Sequence, residues 1–533
     1  MLGSISNFVL DAWLDFLSLN YFLRFPILFV VGVALVWLSW RTWRFSIYPL
    51  LNPDEPREVP YSIPFLGHAR SFLKNQDKAL SYGREYFKGS REPFAFTLGR
   101  EKLYILTSYQ DVATAYRNTT VFDYGDVIKD LMGSFGVSPP GIDKVYHPYP
   151  EFEGDIHRYN PRPKSLFHLK SDFYHTQLHP GEQFKDIQDK FLKLIGDAMS
   201  FENFPQDVIP SSTINNISLY KLCQQVFVKA GIRAFFGERI LQISPSFVCD
   251  FIDFDENNWM IFYNWPDAAL ARKPKSKVLA TLEAYLKLPK AERPGTAWLI
   301  EMMEESQRQL GMNEADIAVV LMMLMWVTNT NAYRVTFWML AYAFHSRSLL
   351  STLYAETGPS LKADGSIDIT YLMNQCPHLD SLWYEILRLT NASSALRTVT
   401  EPTRVGTKLL KPGHKVMSPF RQLHFDEKVF GANVGQCDPD RFFNRKDLAR
   451  HPSYKPFGGG VTKCPGRFVA HQETYIFITL LLHRLKAELA NEGQQPFPRF
   501  ELDTPTTGII SPKTGDDVVL SVSAKIESCD CSS

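Results

Sequence analysis

Cysteine is scarce in this chain of 533 residues, with only seven copies. The number is odd, no two cysteines form a C-x-x-C pair, and Cys529 and Cys531 lie in a polar C-terminal tail. This usage argues against a disulfide framework and against a zinc site built from paired cysteines. It is typical of a protein whose body lies in a reducing compartment.

An excess of charge of either sign is also missing. Lysine plus arginine and aspartate plus glutamate each number 57, so the formal net charge is zero. A neutral chain offers no general attraction to nucleic acid. Internal repeats, low-complexity tracts and flavin or dinucleotide fingerprints are absent from the sequence as well. Hydrophobic residues make up 45% of the chain, enough for a large core.

One long apolar run, Tyr21–Trp40, lies near the N-terminus. A helix of this length rises about 30 Å, the thickness of the hydrocarbon core of a membrane. Asp11 and Asp15 precede the run, and the bulky residues at its exit offer no cleavage site for a signal peptidase. Arg41 and Arg44 follow it, so the positive-inside rule places the remainder of the chain in the cytosol. We therefore predict an uncleaved signal-anchor.

The prolines that follow the anchor predict a stiff, extended hinge. Beyond it, short β-like runs come first, helical periodicity then dominates, and nothing marks a second domain boundary. The predicted layout is a lumenal N-terminus (1–20), a transmembrane helix (21–40), a proline-rich hinge (41–60) and one cytosolic catalytic domain (61–533).

The stretch with the clearest chemistry is the glycine-rich loop 457–470, FGGGVTKCPGRFVA. Gly458, Gly459 and Gly460 remove side chains where a flat ligand would approach the backbone. Pro465 suits the first turn of a helix, so Cys464 is predicted at a helix N-terminus, where N–H groups and the helix dipole favour a thiolate. A thiolate beside a glycine-cleared face is a suitable axial ligand for haem iron.

Phe457, Gly460, Cys464 and Gly466 occupy the positions of an F-x-x-G-x-x-x-C-x-G signature, so this loop resembles the haem-ligand loop of the cytochromes P-450. The resemblance implies a mainly α-helical fold with small β-sheets. It also implies a haem cofactor whose iron is bound by the thiolate of Cys464, with Phe457 against the cofactor. The microsomal members of this family carry a similar anchor and hinge, which implies the endoplasmic reticulum membrane.

A second motif supports the same resemblance. Glu385 and Arg388 are three residues apart and share one face of a helix that is otherwise apolar. In the family such a pair is completed by an arginine from a later Pro-x-Arg-Phe segment, and Pro439–Phe442 supplies Arg441. The resemblance implies a structural triad of these three residues that stabilises the haem-binding scaffold.

The apolar helix Met323–Phe344 contains a polar cluster, residues 328–331. In most members of the family an acid and a threonine stand here and deliver protons to the dioxygen that is reduced. Thr330 stands at the acid position and Asn331 at the threonine position, so neither supplies a carboxyl proton, and Asn331 is the residue predicted to act in catalysis. The cluster either lines a cavity with water or ligand, or bonds back to its own helix.

A narrower resemblance rests on this helix and on Thr462. The pattern WVTNTN…FW, and a threonine where most members carry arginine or histidine near a haem propionate, are similar to the branch of sterol 7α- and 12α-hydroxylases and prostacyclin synthase. That branch also places asparagine at the position of Asn331. It has proline where this chain has Arg334, which predicts a different local distortion of the helix.

The sequence also offers candidates for the groups that hold the haem propionates. Arg397 falls where the family places a propionate-binding base; otherwise it is a surface arginine on a strand. The Trp–Arg pair that the family carries on an early helix has no match in residues 165–181. His168, Lys170 and His175 are candidates there, against the simpler interpretation of a solvated face.

The resemblance implies a monooxygenase that inserts one atom of dioxygen into a lipophilic small molecule, such as a terpenoid, a sterol or another secondary metabolite. Its electrons would come from a separate NADPH-linked reductase. Two alternatives remain: an isomerase or dehydratase of the prostacyclin-synthase type, which needs no reductase, and a haem-binding sensor without turnover. An open distal side opposite Cys464 would favour catalysis over the sensor.

Overall fold

A computed structural model describes residues 21–149, 152–160, 162–200, 216–263, 267–491 and 495–524, with side chains for those between 25 and 523. The predicted lumenal segment 1–20 and the tail cysteines Cys529 and Cys531 lie outside the described residues. Within them the chain is mainly helical with small sheets, as predicted.

The helices before the central pair are α1 (Tyr21–Thr42), α2 (Tyr48–Leu51), α3 (Ala69–Lys74), α4 (Gln76–Tyr86), α5 (Tyr109–Arg117), α6 (Gly125–Phe135), α7 (Pro139–Tyr146), α8 (Gly154–Tyr159), α9 (Leu166–Leu178), α10 (Glu182–Ala198), α11 (Leu219–Phe236), α12 (Arg239–Ile243), α13 (Phe247–Asn257), α14 (Trp259–Phe262), α15 (Ala269–Leu286) and α16 (Trp298–Gln309). The central pair and the helices after it are α17 (Glu314–Asn329), α18 (Ala332–Phe344), α19 (Arg347–Thr357), α20 (Ile369–Asn374), α21 (Pro377–Thr390), α22 (Phe420–His424), α23 (Glu427–Phe430), α24 (Arg441–Asn444) and α25 (Arg467–Arg484).

Among the described residues, three sheets accompany the helices. The strands are β1 (Arg57–Glu58), β2 (Phe94–Leu98), β3 (Glu101–Ile105), β4 (Phe122–Asp123), β5 (Asn216–Ser218), β6 (Ser394–Val399), β7 (Thr403–Val405), β8 (Lys408–Leu410), β9 (Lys415–Pro419), β10 (Leu485–Leu489) and β11 (Val519–Ala524). The largest sheet has the order β1-β2-β3-β9-β6-β4, and β10-β11-β5 and β7-β8 form the others. The early β-like runs of the sequence are therefore the antiparallel pair β2–β3.

The first helical segment differs from the prediction. After α1 the chain continues through a π-helical turn, Trp43–Ile47, into α2, which ends at Leu51. The part of the proposed hinge before Leu51 is therefore helical and not extended. The reason is tertiary: Trp40 and Phe45 pack their rings against Tyr61 at centroid distances of 5.6 and 5.1 Å, so the chain after the helix folds back onto it.

The core is built around α17 and α18, which are separated only by a break at Thr330 and Asn331. α15 packs against α17, whereas α11 and α25 pack against α18. The stretch Glu314–Phe344 is long and apolar enough to cross a membrane, but 61% of its most apolar window is buried inside the protein. It is a core helix pair, whereas the apolar stretch that starts at Phe25 has no buried residues in its window.

Candidate active site

The loop that carries Cys464 closes on itself ahead of α25. The backbone N–H of Cys464 donates to the carbonyl oxygen of Phe457 at 2.9 Å. α25 begins at Arg467, so Pro465 lies in the preceding turn and not in the first helical turn that the sequence predicts. The side chain of Cys464 is exposed, and its Sγ lies 4.0 Å from where a Cβ atom of Gly466 would be, in the turn that precedes α25.

The glycines of this loop are required by its shape. Gly458 and Gly460 have φ angles of +69° and +57°, in the left-handed region that favours glycine. A Cβ atom at Gly460 would lie 3.1 Å from Cδ1 of Tyr116, because that ring packs directly on the loop. Tyr116, which sequence reasoning missed, therefore helps to position the loop.

The electrostatics of the thiol differ from the expectation of a lowered pKa. Protein atoms packed around Cys464 raise the pKa of its thiol above the ordinary value, whereas the N–H of Gly466 and the charge of Arg467 act in the opposite direction. The polypeptide alone thus keeps the thiol protonated at neutral pH. Coordination to a metal ion deprotonates a thiol outright, so a thiolate at this position would require a bound metal ion.

Arg397 is buried, and the alternative of a surface arginine is wrong. Its Nη2 donates to Oγ1 of Thr462 at 2.7 Å, so the strand β6 is linked to the cysteine loop. The guanidinium carbon lies 5.4 Å from the ring centroid of Tyr116 and 5.2 Å from that of Tyr124. No carboxylate of the described residues forms an ion pair with Arg397, and burial lowers its pKa.

Lys170 is a second cation without an anionic partner. Its Nζ lies 4.5 Å from the ring centroid of Phe167, and Phe167 in turn packs against Tyr124 at 5.0 Å. Burial lowers the pKa of Lys170 to about 8, and no described residue forms a hydrogen bond or ion pair with its ammonium group. His168 and His175, the other candidates on α9, are exposed.

These features fit a haem. A flat macrocycle needs a face cleared by glycines, a thiol at one side and cations for its carboxylates. Cys464 and the glycine loop meet the first two needs, and Arg397 and Lys170, on either side of the Tyr124–Phe167 pair, meet the third. Arg397 is buried and Lys170 partly buried, and a cation withdrawn from water without an anionic partner costs free energy unless a ligand supplies the opposite charge.

The predicted triad is confirmed in its contacts. Nε and Nη2 of Arg388 each donate to one carboxylate oxygen of Glu385 at 2.8 Å, and Nε of Arg441 lies 3.1 Å from Glu385 Oε2. The side chains of Glu385 and Arg388 are fully buried. Arg388 also donates to the carbonyl oxygens of Val434 and His424, so the triad ties α21 to the segments before the cysteine loop.

The polar cluster of the central helices divides into two parts. The side chains of Thr328, in α17, and Thr330, directly after it, donate to the α17 carbonyl oxygens of Leu324 and Trp326. The alternative of bonding back to the helix is thus confirmed for these residues. Asn331 differs, because its Oδ1 accepts from the backbone N–H of Ile509 at 2.9 Å, in a distant segment.

A cleft of about 1310 Å³ opens beside the cysteine loop. Gly460, Val461, Lys463 and Arg467 line one side, and the exposed face of α9 lines the other. Basic side chains outnumber acidic ones along its walls, which gives this outer face of the loop a positive character. The histidine candidates of the sequence contribute to this solvated face.

Comparison with known proteins points in one direction. Residues 271–515 match the family model described as Cytochrome P450. The Cytochrome P450 monooxygenase poxD of Penicillium oxalicum is 22% identical over 84% of this chain and 90% of its own length. The 7-alpha-hydroxycholest-4-en-3-one 12-alpha-hydroxylase of Oryctolagus cuniculus is 25% identical over 83% and 89%. Cytochrome P450 7A1 of Rattus norvegicus is 24% identical over 64% and 76%.

Proposed function

We propose, from the premise that this chain belongs to the cytochrome P450 family and is a haem-thiolate monooxygenase, that Cys464 is the iron ligand and that the substrate is a lipophilic small molecule. The observation that carries the proposal is the meeting of the exposed Cys464 thiol, the glycine loop and the buried Arg397 in one place. When bound, the haem supplies the activation of dioxygen that lets one oxygen atom enter a C–H bond.

The residues around the loop would hold the cofactor in the following way. Cys464 would bind the iron, and the carbonyl of Phe457 would keep the cysteine backbone in place through its hydrogen bond. Arg397 and Lys170 would each donate hydrogen bonds to one propionate and neutralise its charge, since neither cation has a carboxylate partner among the described residues. Phe457 contributes its ring as well, 6.4 Å from that of Trp383.

We propose Asn331 as the catalytic side chain on the side of the haem where dioxygen would bind. Because its Oδ1 is held by the N–H of Ile509, its amide NH2 group has a fixed direction and can donate to water. It orders water there but holds no carboxyl proton, so protons must arrive through water from elsewhere.

Asn331→Leu is expected to lower the fraction of NADPH that is used to form product by about an order of magnitude. The effect is smaller than the ~10²–10⁴-fold loss of a true general acid, because Asn331 only orders water. Haem binding should stay intact, because Asn331 touches none of the groups proposed to bind the cofactor. Product and hydrogen peroxide are measured per NADPH consumed. Asn331→Thr should retain part of the coupling, since a hydroxyl also donates and accepts.

The matched control for that substitution is Thr328→Val. The hydroxyl of Thr328 bonds only within its own part of the helix, so its loss should leave the product yield unchanged. If Asn331→Leu behaves like Thr328→Val, Asn331 is a satisfied structural residue and has no role in oxygen chemistry.

The proposed substrate class is a terpenoid, a sterol or another lipophilic secondary metabolite. Its support is the similarity to a sterol 12-alpha-hydroxylase and the presence of an apolar anchor helix. The proposed electron source is an NADPH-linked reductase, for which the basic outer face of the cysteine loop offers a complementary surface to an acidic partner.

The deciding experiment uses the full chain in microsomes with an added reductase. Extracts of lipophilic metabolites and 7α-hydroxycholest-4-en-3-one are offered, and products are detected by mass. We expect a product heavier by one oxygen atom that depends on NADPH. Turnover that persists without NADPH would indicate an isomerase, and the absence of any turnover together with a second protein ligand on the iron would indicate a sensor.

We further propose that α1 anchors the protein in the endoplasmic reticulum membrane with the catalytic domain (61–533) in the cytosol. Arg41 Nη1 donates to the carbonyl of Tyr61 and Trp37 Nε1 to that of Ser62, both at 2.7 Å. These bonds join the end of the helix to the first residues of the domain, so the tilt of the helix would be coupled to the orientation of the body.

This topology predicts that Asn118 carries no glycan. Three N-x-Ser/Thr sequons occur, but Asn391 is buried and Asn216 lies within β5, so only Asn118 is exposed in the fold. A cytosolic domain is not glycosylated, and treatment of microsomal protein with a glycosidase should leave its mass unchanged. As a control, Val9→Ser creates a sequon at Asn7 on the predicted lumenal side, which should gain a glycan; the opposite pattern would reverse the orientation.

A further inference from the structure

The break between α17 and α18 is held by a side chain of the second helix. Thr330 lies outside both helices, and its carbonyl oxygen accepts a hydrogen bond from Nη1 of Arg334. Regular bonding of α18 resumes where the N–H of Val335 reaches the carbonyl of Asn331 at 3.2 Å. The guanidinium therefore satisfies a backbone acceptor at the break itself, one residue before Asn331.

The second terminal nitrogen of the guanidinium contacts a residue outside the central helices. Nη2 of Arg334 lies 2.6 Å from Oδ2 of Asp255, which is located on α13. Both side chains are largely buried, with 11% and 6% of their surfaces exposed. Asp255 thus brings to the break a buried carboxylate that α17 and α18 themselves lack at Thr330 and Asn331.

Asp255 has more than one partner on the central helices. Its Oδ1 accepts from Nε1 of Trp326 at 2.9 Å, and its Oδ2 accepts from the hydroxyl of Tyr333 at 3.2 Å. Asn258 adds a longer contact of 3.4 Å to Oδ1. The carboxylate is therefore fixed by residues on both sides of the break, which leaves it little freedom to reorient.

Three peripheral helices, α6, α13 and α14, also meet at Trp326 of α17, close to this ion pair. The ring of Phe135, at the end of α6, lies 5.4 Å from Trp326, 5.2 Å from Phe262 of α14 and 6.0 Å from Phe254 of α13. A movement of any of these elements would shift the ring of Trp326, and with it the carboxylate of Asp255 to which Trp326 donates. The ion pair of Asp255 and Arg334 is therefore joined to this aromatic cluster through Trp326.

We propose that Asp255 and Arg334 are a positioning pair that holds the break at Thr330–Asn331 in register with α13, and thereby determines how reduced dioxygen divides between hydrogen peroxide and water or product. This inference rests on the proposed monooxygenase function. The two residues act through the backbone of the break and through Asn331, and neither needs to touch substrate or haem.

The division of reduced dioxygen between hydrogen peroxide and water can be measured without a substrate. One dioxygen, one NADPH and one proton give hydrogen peroxide and NADP⁺. With a second NADPH and a second proton the peroxide-level oxygen is reduced further to two molecules of water. With a substrate C–H bond present, one oxygen atom enters that bond and the other leaves as water. A break that positions water poorly favours early loss as peroxide.

The test is Arg334→Lys in the full-length, haem-loaded protein with reductase and NADPH. Lysine keeps the charge beside Asp255 but lacks the planar fork that serves two acceptors at once. We expect the ratio of peroxide to water to rise about fivefold, within the range of coupling effects from such networks. Amide hydrogen exchange across residues 328–335 should accelerate by about tenfold, because the carbonyl of Thr330 loses its partner.

The matched control is Arg293→Lys. Arg293, in the turn that precedes α16, forms a fork with Glu304 of α16. Only 3% and 2% of these side chains are exposed, so the pair is even more buried than Arg334 and Asp255. The control substitution should change neither the peroxide ratio nor exchange at 328–335. Should Arg334→Lys fail to load haem, the neutral double variant Asp255→Asn with Arg334→Gln leaves no unpaired buried charge and is expected to give the same two changes.

Unchanged exchange and an unchanged peroxide ratio in a haem-loaded Arg334 variant would overturn the proposal, and so would equal changes in Arg293→Lys. If the wild-type protein consumes no NADPH with any reductase, the proposed monooxygenase function fails instead. Hydrogen exchange then still decides whether the pair holds the break, so the two failures are distinguishable.

Discussion

Cys464→Ala is expected to abolish the red-shifted absorption band of the ferrous–carbonyl complex that marks thiolate-bound haem. The effect is complete and not partial, because no second cysteine of the described residues lies in a glycine loop at the start of a helix. Cys223 and Cys376 are buried, and burial raises the pKa of Cys376 to about 12, so neither provides a thiolate near the site. Difference spectra of reduced microsomes with carbon monoxide measure the band.

The control for this prediction is Cys249→Ala. Cys249 is also exposed, but it is located on α13 and not in the loop. Its replacement should leave the band at full height, as should replacement of Cys437. A normal thiolate band in Cys464→Ala would show that another residue binds the iron, and the proposed site would have to be moved.

Arg388→Ala is expected to yield almost no haem-loaded protein. The substitution leaves the fully buried carboxylate of Glu385 without its fork of two 2.8 Å hydrogen bonds, and removes donors to the carbonyls of Val434 and His424. Breaking a buried ion pair in this way costs about 3–5 kcal/mol, a large part of the stability of a typical domain. Soluble yield and the ratio of haem to protein absorbance measure the loss.

A control on the protein surface separates the loss of this triad from the loss of an ion pair in general. Arg404 pairs with Asp54 at 2.8 Å, but more than half of each side chain is exposed. Arg404→Ala should therefore change stability by less than about 1 kcal/mol. If Arg388→Ala is instead soluble, fully loaded with haem and only slower in turnover, Arg388 has a catalytic role and not the structural one proposed here.

Much of the site could be predicted from local sequence. The spacing of Phe457, Gly460 and Cys464 requires no knowledge of distant contacts, since a loop closed by one backbone hydrogen bond is a short-range feature. Glu385 and Arg388 are likewise one helical turn apart, and their apolar neighbours predicted burial. The assignment of segments as helices or strands also followed from local periodicity of hydrophobic residues.

Other features required the fold. The sequence left open whether Arg397 is a surface residue, because the answer depends on Thr462 and Tyr116 approaching it from remote segments. It predicted an extended hinge where contacts with Tyr61 keep the chain helical as far as Leu51. The net direction of the pKa shift of Cys464 was missed too, because the packing of surrounding atoms outweighs the N–H groups nearby.

The sequence by itself determined the cysteine loop, the Glu–Arg pair, the apolar N-terminal helix and the mainly helical class, because each depends on residues within a few positions of one another. Only the tertiary structure decided that Arg397 and Lys170 lie as unpaired cations around one aromatic pair, that Asn331 is held by Ile509, and that Asp255 brings a carboxylate to the break. The physical reason is that a hydrogen bond or charge pair forms between groups that are close in space, and for these residues the partner is many turns away along the chain.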